Sequence, residues 1–222
     1  MTVLLYGVLS DSADVAPPAG VRALATPAGV AWVRTLAPGE TPSRDEQRRT
    51  LSLALSDATP VPARAGTRFD DDDAVTVALT RTAKIWRAAL DRVRDHVEMM
   101  VFVPLGEDEN ASSASPAVND AEHPGRAYLE QVRARLATTD AGDEWRARLR
   151  SALGEVAVDD AVVADPSGRG VLVSHLVPRA REREYRARVA AWAAEAGVAR
   201  AAVVGPWAPF SFVTEVGGDD AR

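Results

Sequence analysis

The chain has 222 residues, which is long enough for one large domain or for two small domains that each bury a core. It contains no cysteine, and this excludes disulfide bonds, thiolate nucleophiles and zinc sites that depend on sulfur. The net charge of −6 argues against a nucleic-acid-binding protein, because affinity for phosphate comes from clustered positive charge. No apolar run approaches the ~18 residues of a membrane-spanning helix, and the N-terminus lacks the positive flank of a signal peptide. We therefore expect a cytoplasmic protein that binds neither nucleic acid nor membrane.

The N-terminal residues show two strand patterns and then a helix signal. The short apolar run at residues 3–9 predicts a buried strand, and residues 29–36 alternate as a second strand does. Ser43 stands three residues before Glu46, a capping-box spacing that predicts a helix to about residue 58.

A Pro- and Gly-rich loop at residues 60–75 leads into a second helix. Residues 97–103 predict a further strand that is apolar on both faces except at Glu98. Together these patterns predict an N-terminal α+β domain at residues 1–104, with a small mixed sheet and helices. The stripe of the second helix contains Val75, Leu79, Thr82, Trp86, Leu90 and Val93.

The composition changes after residue 104. Residues 106–123 hold five acidic residues, no lysine or arginine, and much serine and alanine. Such a composition is typical of a linker, and we predict an acidic linker at residues 105–123. Two helical patterns follow, separated at Gly142 and Asp143. Their apolar positions are Leu129, Val132 and Leu136, and then Trp145, Leu149 and Leu153.

The last third predicts a compact α+β arrangement. Residues 155–165 and 170–177 flank a turn and predict a β-hairpin. A helix that ends at Gly197 and a strand at residues 198–204 follow. The order of these elements predicts a C-terminal α+β domain at residues 124–222, with helices packed on one face of a sheet.

The residue patterns indicate no catalytic, metal or cofactor site. His96, His123 and His175 are scattered and have no partner at metal-ligand spacing. The sequence also lacks a nucleophile elbow and a phosphate-binding Gly-rich loop. The run Asp70–Asp73 has two interpretations, since carboxylates bind magnesium but also cap helices, and its place before a helical stripe favours capping.

Residues 179–189 hold five arginines and two glutamates. A solvated helix face is the first interpretation, and a docking patch for an acidic partner is the alternative.

Several motifs occur in the order in which one known family has them. The segment PVPARAGTRF at residues 60–69 and the downstream strand with Glu98 resemble the Leu-Pro-Val-Arg-Phe-Gly-Thr motif and Glu-containing strand of gas vesicle proteins of the F/L type. The ending VVGPWAPFSFV at residues 203–213 is similar to that family's Gly-Pro-Trp-Pro-Pro-Tyr-x-Phe-Val ending. Residues 6–8 and 125–129 resemble further landmarks. The resemblance implies these motif or interface residues: Arg64, Gly66, Thr67, Glu98, Gly205, Pro206, Trp207, Pro209, Phe210 and Phe212.

The resemblance also implies fold and function. It implies two α+β domains, of which the C-terminal one is ferredoxin-like. It further implies a non-enzymatic accessory or minor structural protein, associated with gas vesicles, that binds the hydrophobic shell protein and other accessory proteins and needs no cofactor. The alternative is a ligand-sensing or regulatory α+β module, for which a closed apolar pocket would be the evidence.

The aromatic ending has two interpretations. Trp207, Phe210 and Phe212 each remove ~150–250 Å² from water when they are buried. The first interpretation is that they close the contact between the two domains, with Gly205 and Pro206 ending the preceding strand. The alternative is that some of them form a surface for the shell protein.

Overall fold

The computed structural model describes residues 2–104, 141–163, 169–198 and 200–213. These residues form an α+β fold of two antiparallel sheets and five α-helices. By its internal contacts the chain divides into two compact units, one made of residues 1–99, 176–183 and 205–222 and the other of residues 100–175 and 184–204. No helix among the described residues is long and apolar enough to span a membrane.

The predicted division into domains 1–104 and 124–222, joined by a linker at 105–123, stays a prediction. Its boundaries fall beside or within residues 105–140, which lie outside the described residues. The helix predicted around Leu129 lies in the same undescribed range.

The first sheet is antiparallel. Its strands are β1 (Thr2–Leu9), β2 (Arg22–Thr26), β3 (Gly29–Leu36), β4 (Val61–Pro62) and β5 (Arg68–Phe69). The strand order is β2-β3-β1-β4, and β5 also pairs with β1. All four described pairings are antiparallel, so the predicted mixed sheet is wrong. The strands predicted at residues 3–9 and 29–36 are confirmed as β1 and β3.

Helix α1 (Arg44–Ser52) begins where the capping box predicts. The Ser43 hydroxyl oxygen accepts a hydrogen bond from the Glu46 amide at 3.0 Å. The helix ends before the predicted residue 58, because the amides of Ala54 and Leu55 bond to carbonyl oxygens three residues back and form turns.

The single helix predicted from its apolar stripe is divided into α2 (Asp72–Arg81) and α3 (Ala83–Val93). Thr82 lies between them with φ −107° and ψ 12°, outside regular helical geometry. Two α-helical hydrogen bonds span this residue, since the Thr82 amide donates to the Ala78 carbonyl oxygen at 3.3 Å and the Trp86 amide donates to the Thr82 carbonyl oxygen at 3.1 Å. The Ile85 amide instead bonds three residues back, to the Thr82 carbonyl oxygen at 2.9 Å.

The acidic run before α2 has the capping role that the sequence favours. The Asp71 side chain accepts a hydrogen bond from the Ala74 amide at 2.8 Å. Asp72 binds Arg22 at 2.6 Å, and the hydrogen bond from this guanidinium lowers the pKa of Asp72. In the described part of the chain, no group of three or more His, Cys, Asp or Glu residues is placed to hold a metal ion.

Both faces of the first sheet are covered, which explains why β1 is buried at all but its first position. A bulge between Leu5 and Gly7 shifts the alternation of side chains along β1. One face packs against α2 and α3, and the other packs against α1. The first cluster includes Val3, Leu5, Val8, Ala31, Val33, Val75, Leu79, Trp86 and Val93. The second contains Leu4, Tyr6, Leu9, Trp32, Leu36, Leu51, Ala54 and Ala208.

In the described ranges, the second sheet has four strands in the order β7-β8-β6-β9. They are β6 (His96–Pro104), β7 (Asp159–Val163), β8 (Gly170–Pro178) and β9 (Ala202–Trp207). β6 lies between β8 and β9, so its grouping with the N-terminal strands is corrected. Its apolar character fits a central strand, but no local pattern tells which sheet a strand joins. The hairpin strands are confirmed as β7 and β8, and residues 164–168 of the intervening turn lie outside the described residues.

Two α-helices lie among the described C-terminal residues. Residues 141–153 are helical and form α4, and α5 spans Glu182–Glu195. The predicted break at Gly142 and Asp143 is wrong, because both lie within α4. Gly142 serves close packing, since a Cβ there would lie 2.7 Å from Cγ1 of Val162. Gly197 has φ 69° just after α5, which confirms the predicted C-terminal stop.

Candidate partner-binding site

The motif residues Arg64 to Thr67 form a tight turn attached to β1. The amide and the hydroxyl of Thr67 both donate to the Arg64 carbonyl oxygen, at 3.1 and 2.7 Å. Gly66 has φ 80°, a left-handed conformation that glycine adopts without steric cost. The Thr67 carbonyl oxygen accepts a hydrogen bond from the Leu5 amide at 3.0 Å. This part of the motif therefore shapes the fold, while the Arg64 side chain is exposed.

Sequence reasoning misses Gln47, a buried residue of α1 that ties this helix to the sheet. Gln47 is only 5% exposed. Its Nε2 donates hydrogen bonds to the carbonyl oxygens of Tyr6 at 2.7 Å and Ala63 at 2.8 Å. The sequence does place Gln47 four residues before Leu51, on the inward side of α1. A polar side chain at such a position needs buried hydrogen-bond partners, and this could have indicated its role.

A polar cluster of Tyr6, Arg34, Glu40 and Glu46 joins α1 to β1 and β3. The Tyr6 hydroxyl donates to Glu46 at 2.5 Å and accepts from Nε of Arg34 at 2.9 Å. Arg34 also pairs with Glu40 at 2.6 Å and with Glu46 at 2.8 Å. Burial and then the hydrogen bond to Glu46 raise the pKa of Tyr6 to about 12. The phenol therefore stays protonated near neutral pH, and the cluster positions α1.

The C-terminal motif begins inside β9. This strand runs past Gly205 and Pro206 to Trp207, so the predicted end before Gly205 is wrong. β9 is an edge strand, where a proline without an N–H group is tolerated. Gly205 has φ 124°, and a Cβ there would lie 2.8 Å from the Glu98 carbonyl oxygen. Glycine is therefore required for the close approach of the two backbones.

The segment after β9 is fixed to the first unit by a carboxylate and by apolar packing. The buried Glu98 carboxylate accepts hydrogen bonds from the Ser211 amide at 2.8 Å and from the Ser211 hydroxyl at 2.7 Å. Ala208 belongs to the second core cluster, Phe210 packs against that cluster, and Phe212 is only 4% exposed. The structure thus brings Glu98 together with the C-terminal motif.

Trp207 and Phe210 keep part of their surface in contact with solvent. The guanidinium of Arg48 on α1 lies over both rings, 5.2 Å from the Trp207 centroid and 5.9 Å from the Phe210 centroid. Each such contact stabilises by about 0.5–1 kcal/mol at an exposed position. We call Arg48, Trp207 and Phe210 the Arg48 aromatic site. Trp and Arg are enriched in interface hot spots, and Phe is enriched at protein–protein interfaces in general.

The second unit contains a buried polar cluster around His175. Its Nδ1 lies 2.9 Å from the Tyr185 hydroxyl, and burial lowers the pKa of His175 to about 4. Asp160 is held by Arg146 and Arg150, with 2.6 Å between Oδ2 and Nε of Arg150. Burial acts to raise the pKa of Asp160, but the hydrogen bonds from the two guanidinium groups lower it. This cluster organises the core of the unit.

Two arginines of the Arg-rich stretch make contacts within the protein. The Arg179 amide donates to the Asp95 carbonyl oxygen at 2.8 Å, and its side chain donates to the Thr59 hydroxyl at 3.1 Å. Arg188 pairs with Glu184 at 2.9 Å. A structural role therefore fits these two arginines, and the docking alternative for the stretch stays a prediction.

Two surface clefts bear on the ligand-sensing alternative. One has a volume of about 440 Å³ and is lined largely by polar side chains, including Asp57, Arg87 and Asp95. The other has a volume of about 610 Å³ and is lined in part by Glu40 and Arg68. Both open to solvent, so neither is the closed apolar pocket that would favour ligand sensing.

Comparisons with known proteins agree in naming one family. The family described as "Gas vesicle synthesis protein GvpL/GvpF" matches residues 2–214. Gas vesicle protein L of Streptomyces sp. (strain CB03234) is 33% identical over 175 residues, which is 72% of this chain and 64% of that protein. The match thus spans just under two thirds of this relative's length.

Two solved structures share the fold. The gas vesicle protein GvpF from Anabaena sp. PCC7120 aligns with a TM-score of 0.67 at 13% identity, covering 97% of each chain. GvpF from Microcystis aeruginosa aligns with a TM-score of 0.66 at 16% identity, covering 96% of this chain and 99% of that one. At these identities the likeness shows the fold alone.

Proposed function

Because the chain belongs to the GvpL/GvpF family of gas vesicle synthesis proteins, we propose that it binds the hydrophobic shell protein of gas vesicles and supports vesicle assembly. It acts as an accessory or minor structural protein, in the cytoplasm and in association with gas vesicles and their other accessory proteins. This function requires binding and no chemical turnover.

The physical need for such a protein follows from the shell. A subunit that builds a gas-tight wall exposes a broad apolar face before it is assembled, and a large exposed apolar patch leads to aggregation. A soluble binder that covers this face and then releases it to the growing wall prevents aggregation, as a chaperone does.

The Arg48 aromatic site is the observation that supports this proposal most directly. Phe212 and the Glu98–Ser211 hydrogen bonds fix the segment, while Trp207 and Phe210 retain exposed ring surface. Aromatic rings held in this way bind an apolar surface with little loss of conformational entropy. Of the two interpretations of the ending, we therefore propose the shell-protein surface for Trp207 and Phe210.

We also propose that the C-terminal part of the chain is ferredoxin-like. Among the described residues, the elements β6, α4, β7, β8, α5 and β9 occur in the order β-α-β-β-α-β, and the strand order β7-β8-β6-β9 supports this arrangement.

Co-purification tests the proposed function. The tagged chain is co-expressed with the shell protein, both alone and together with the other accessory proteins, and the captured material is identified by mass spectrometry. We expect capture of the shell protein in at least one of these conditions. Its absence from both, with the tagged chain folded, would overturn the proposal.

A further inference from the structure

We propose that the outward face of α2 and α3 is a second interaction surface, which binds an acidic amphipathic helix of a partner protein. The surface consists of Val77, Arg81, Lys84, Ile85 and Ala88, and we call it the α2–α3 face. The α2–α3 face shares no residue with the Arg48 aromatic site. The proposal for this face can therefore be tested independently of the proposed function.

Helical spacing places these five residues on one side. Hydrogen bonds from Thr82 to Ala78 and from Trp86 to Thr82 span the break between the two helices. The core residues of both helices also keep steps of four and seven, so α2 and α3 present corresponding sides. The inward side of the two helices carries the core residues Val75, Leu79, Trp86 and Val93. Positions 77, 81, 84, 85 and 88 follow one another at steps of three and four, apart from the adjacent pair 84 and 85, and all five are exposed.

The centre of the α2–α3 face is apolar. Val77 is 50% exposed and Ile85 is 57% exposed, and both rank among the few large hydrophobic residues so exposed in the described part of the chain. Single exposed hydrophobic residues are common on protein surfaces. Here two of them lie on one side of the helices with Ala88 beside them, at the spacing at which apolar residues of one helix contact another.

The charge on this face is positive and is not neutralised by the chain. Among the described residues, neither Arg81 nor Lys84 has an ion pair or a hydrogen bond from its side chain. Of the acidic residues near this face, Asp72 pairs with Arg22 and Asp91 pairs with Arg94. Asp73 is exposed at the start of α2, eight residues before Arg81, so the positive charge is concentrated at Arg81 and Lys84. The chain as a whole carries a net charge of −6, so this local excess of positive charge differs from its average surface.

These two properties define the partner. Anchors at helical spacing fit the apolar side of another helix, and the flanking cations fit carboxylates on either side of it. A lipid surface fits less well, because recognition of anionic lipid by basic residues uses clusters of ~4–8 cations, and this face presents two.

The test uses the full chain and a fluorescent synthetic amphipathic helix built from Glu, Ala and Leu, with binding followed by fluorescence anisotropy. We expect binding that weakens as salt rises and that falls by ~tenfold or more in the Arg81→Glu/Lys84→Glu variant and in Ile85→Gln. The matched control is Arg44→Glu, an exposed charge reversal on α1, which should leave the affinity unchanged.

Lys84 is the only lysine of the chain, and this gives a direct readout of the contact. A zero-length carbodiimide couples a lysine amine to a neighbouring carboxylate, so we expect a crosslink from Lys84 to a Glu of the peptide. Lys84→Arg should keep the affinity and lose this crosslink. Absence of peptide binding, equal binding by all variants, or binding of anionic phosphatidylserine vesicles in place of the peptide would each overturn the proposal.

Discussion

The Glu98 carboxylate accepts two hydrogen bonds from Ser211, one from the backbone amide at 2.8 Å and one from the hydroxyl at 2.7 Å, across 113 positions of sequence. Glu98 is only 3% exposed, so this contact is made away from solvent. It joins the Glu-containing strand to the C-terminal motif and fixes the segment from which Trp207 and Phe210 reach the surface.

Ser211→Ala removes the hydroxyl donor and leaves the amide donor in place. A hydrogen bond to a charged group contributes ~1.5–3 kcal/mol, so we expect the free energy of unfolding to fall by about that amount in urea titrations. In a double-mutant cycle with Glu98→Gln, the two losses should be less than additive. Fully additive losses would show that the two side chains do not act together.

Gly205 and Gly66 form a matched pair for testing close backbone approach. Both have positive φ, but an added Cβ meets the Glu98 carbonyl oxygen at 2.8 Å only at Gly205, and no atom lies within 4 Å at Gly66. We expect Gly66→Ala to cost ~1 kcal/mol of strain and Gly205→Ala to cost ~3 kcal/mol or more, measured by chemical unfolding. Equal costs at the two positions would contradict the packing role of Gly205.

Tyr6→Phe tests the polar cluster between α1 and the first sheet. The substitution leaves Glu46 without its hydroxyl donor and Arg34 without its hydroxyl acceptor, so we expect a loss of ~1–3 kcal/mol in thermal or urea unfolding. Ser56→Ala, which removes an exposed hydroxyl, serves as the control and should change stability by less than ~0.5 kcal/mol. A Tyr6→Phe variant as stable as the control would show that the cluster contributes nothing.

We predict that the lowered pKa of His175 makes the protein less stable in mild acid. Its pKa is lowered from 6.5 to about 4, chiefly by burial, so the unfolded chain takes up a proton at higher pH than the native chain. Stability should therefore fall as pH drops below about 6.5 and level off below about 4 for this group, a total of about 3 kcal/mol.

Unfolding free energies measured at intervals between these pH values check this expectation, with His175→Asn as the comparison. The variant should show a flatter dependence on pH, since it lacks the titrating ring. The same slope in both proteins would assign the pH dependence to other groups.

Much of the local structure could be predicted from sequence. β1 and β3 followed from apolar runs, and the start of α1 followed from the spacing of Ser43 and Glu46, because these signals are local. The division of the second helix at Thr82 had no such signal, since the apolar stripe runs on through it. Gly142 shows the opposite error: a glycine that resembles a helix break serves close packing against Val162.

Long-range relationships were beyond the sequence patterns. The place of β6 between β8 and β9 is set by tertiary pairing, and nothing in an apolar run specifies its neighbours. The same holds for Gln47, whose partners on β1 and after β4 are chosen by the fold. The motif residues Glu98 and Trp207 were identified by resemblance, but the Glu98–Ser211 contact and the position of Arg48 required the structure.

The central claim is that the Arg48 aromatic site binds the shell protein, and an affinity titration tests it most directly. Purified wild-type chain and the variants Trp207→Ala, Phe210→Ala and Leu53→Ala, each checked for folding by circular dichroism, are titrated against shell protein held in solution as a fusion with a soluble carrier. Leu53 is a 60% exposed apolar residue at the C-terminal end of α1 that does not belong to the Arg48 aromatic site, and it serves as the control. We predict that wild type and Leu53→Ala bind alike and that each aromatic variant binds ~tenfold or more weakly, the scale of a hot-spot residue. No binding by the wild type, or unchanged binding by both folded aromatic variants, would contradict the claim.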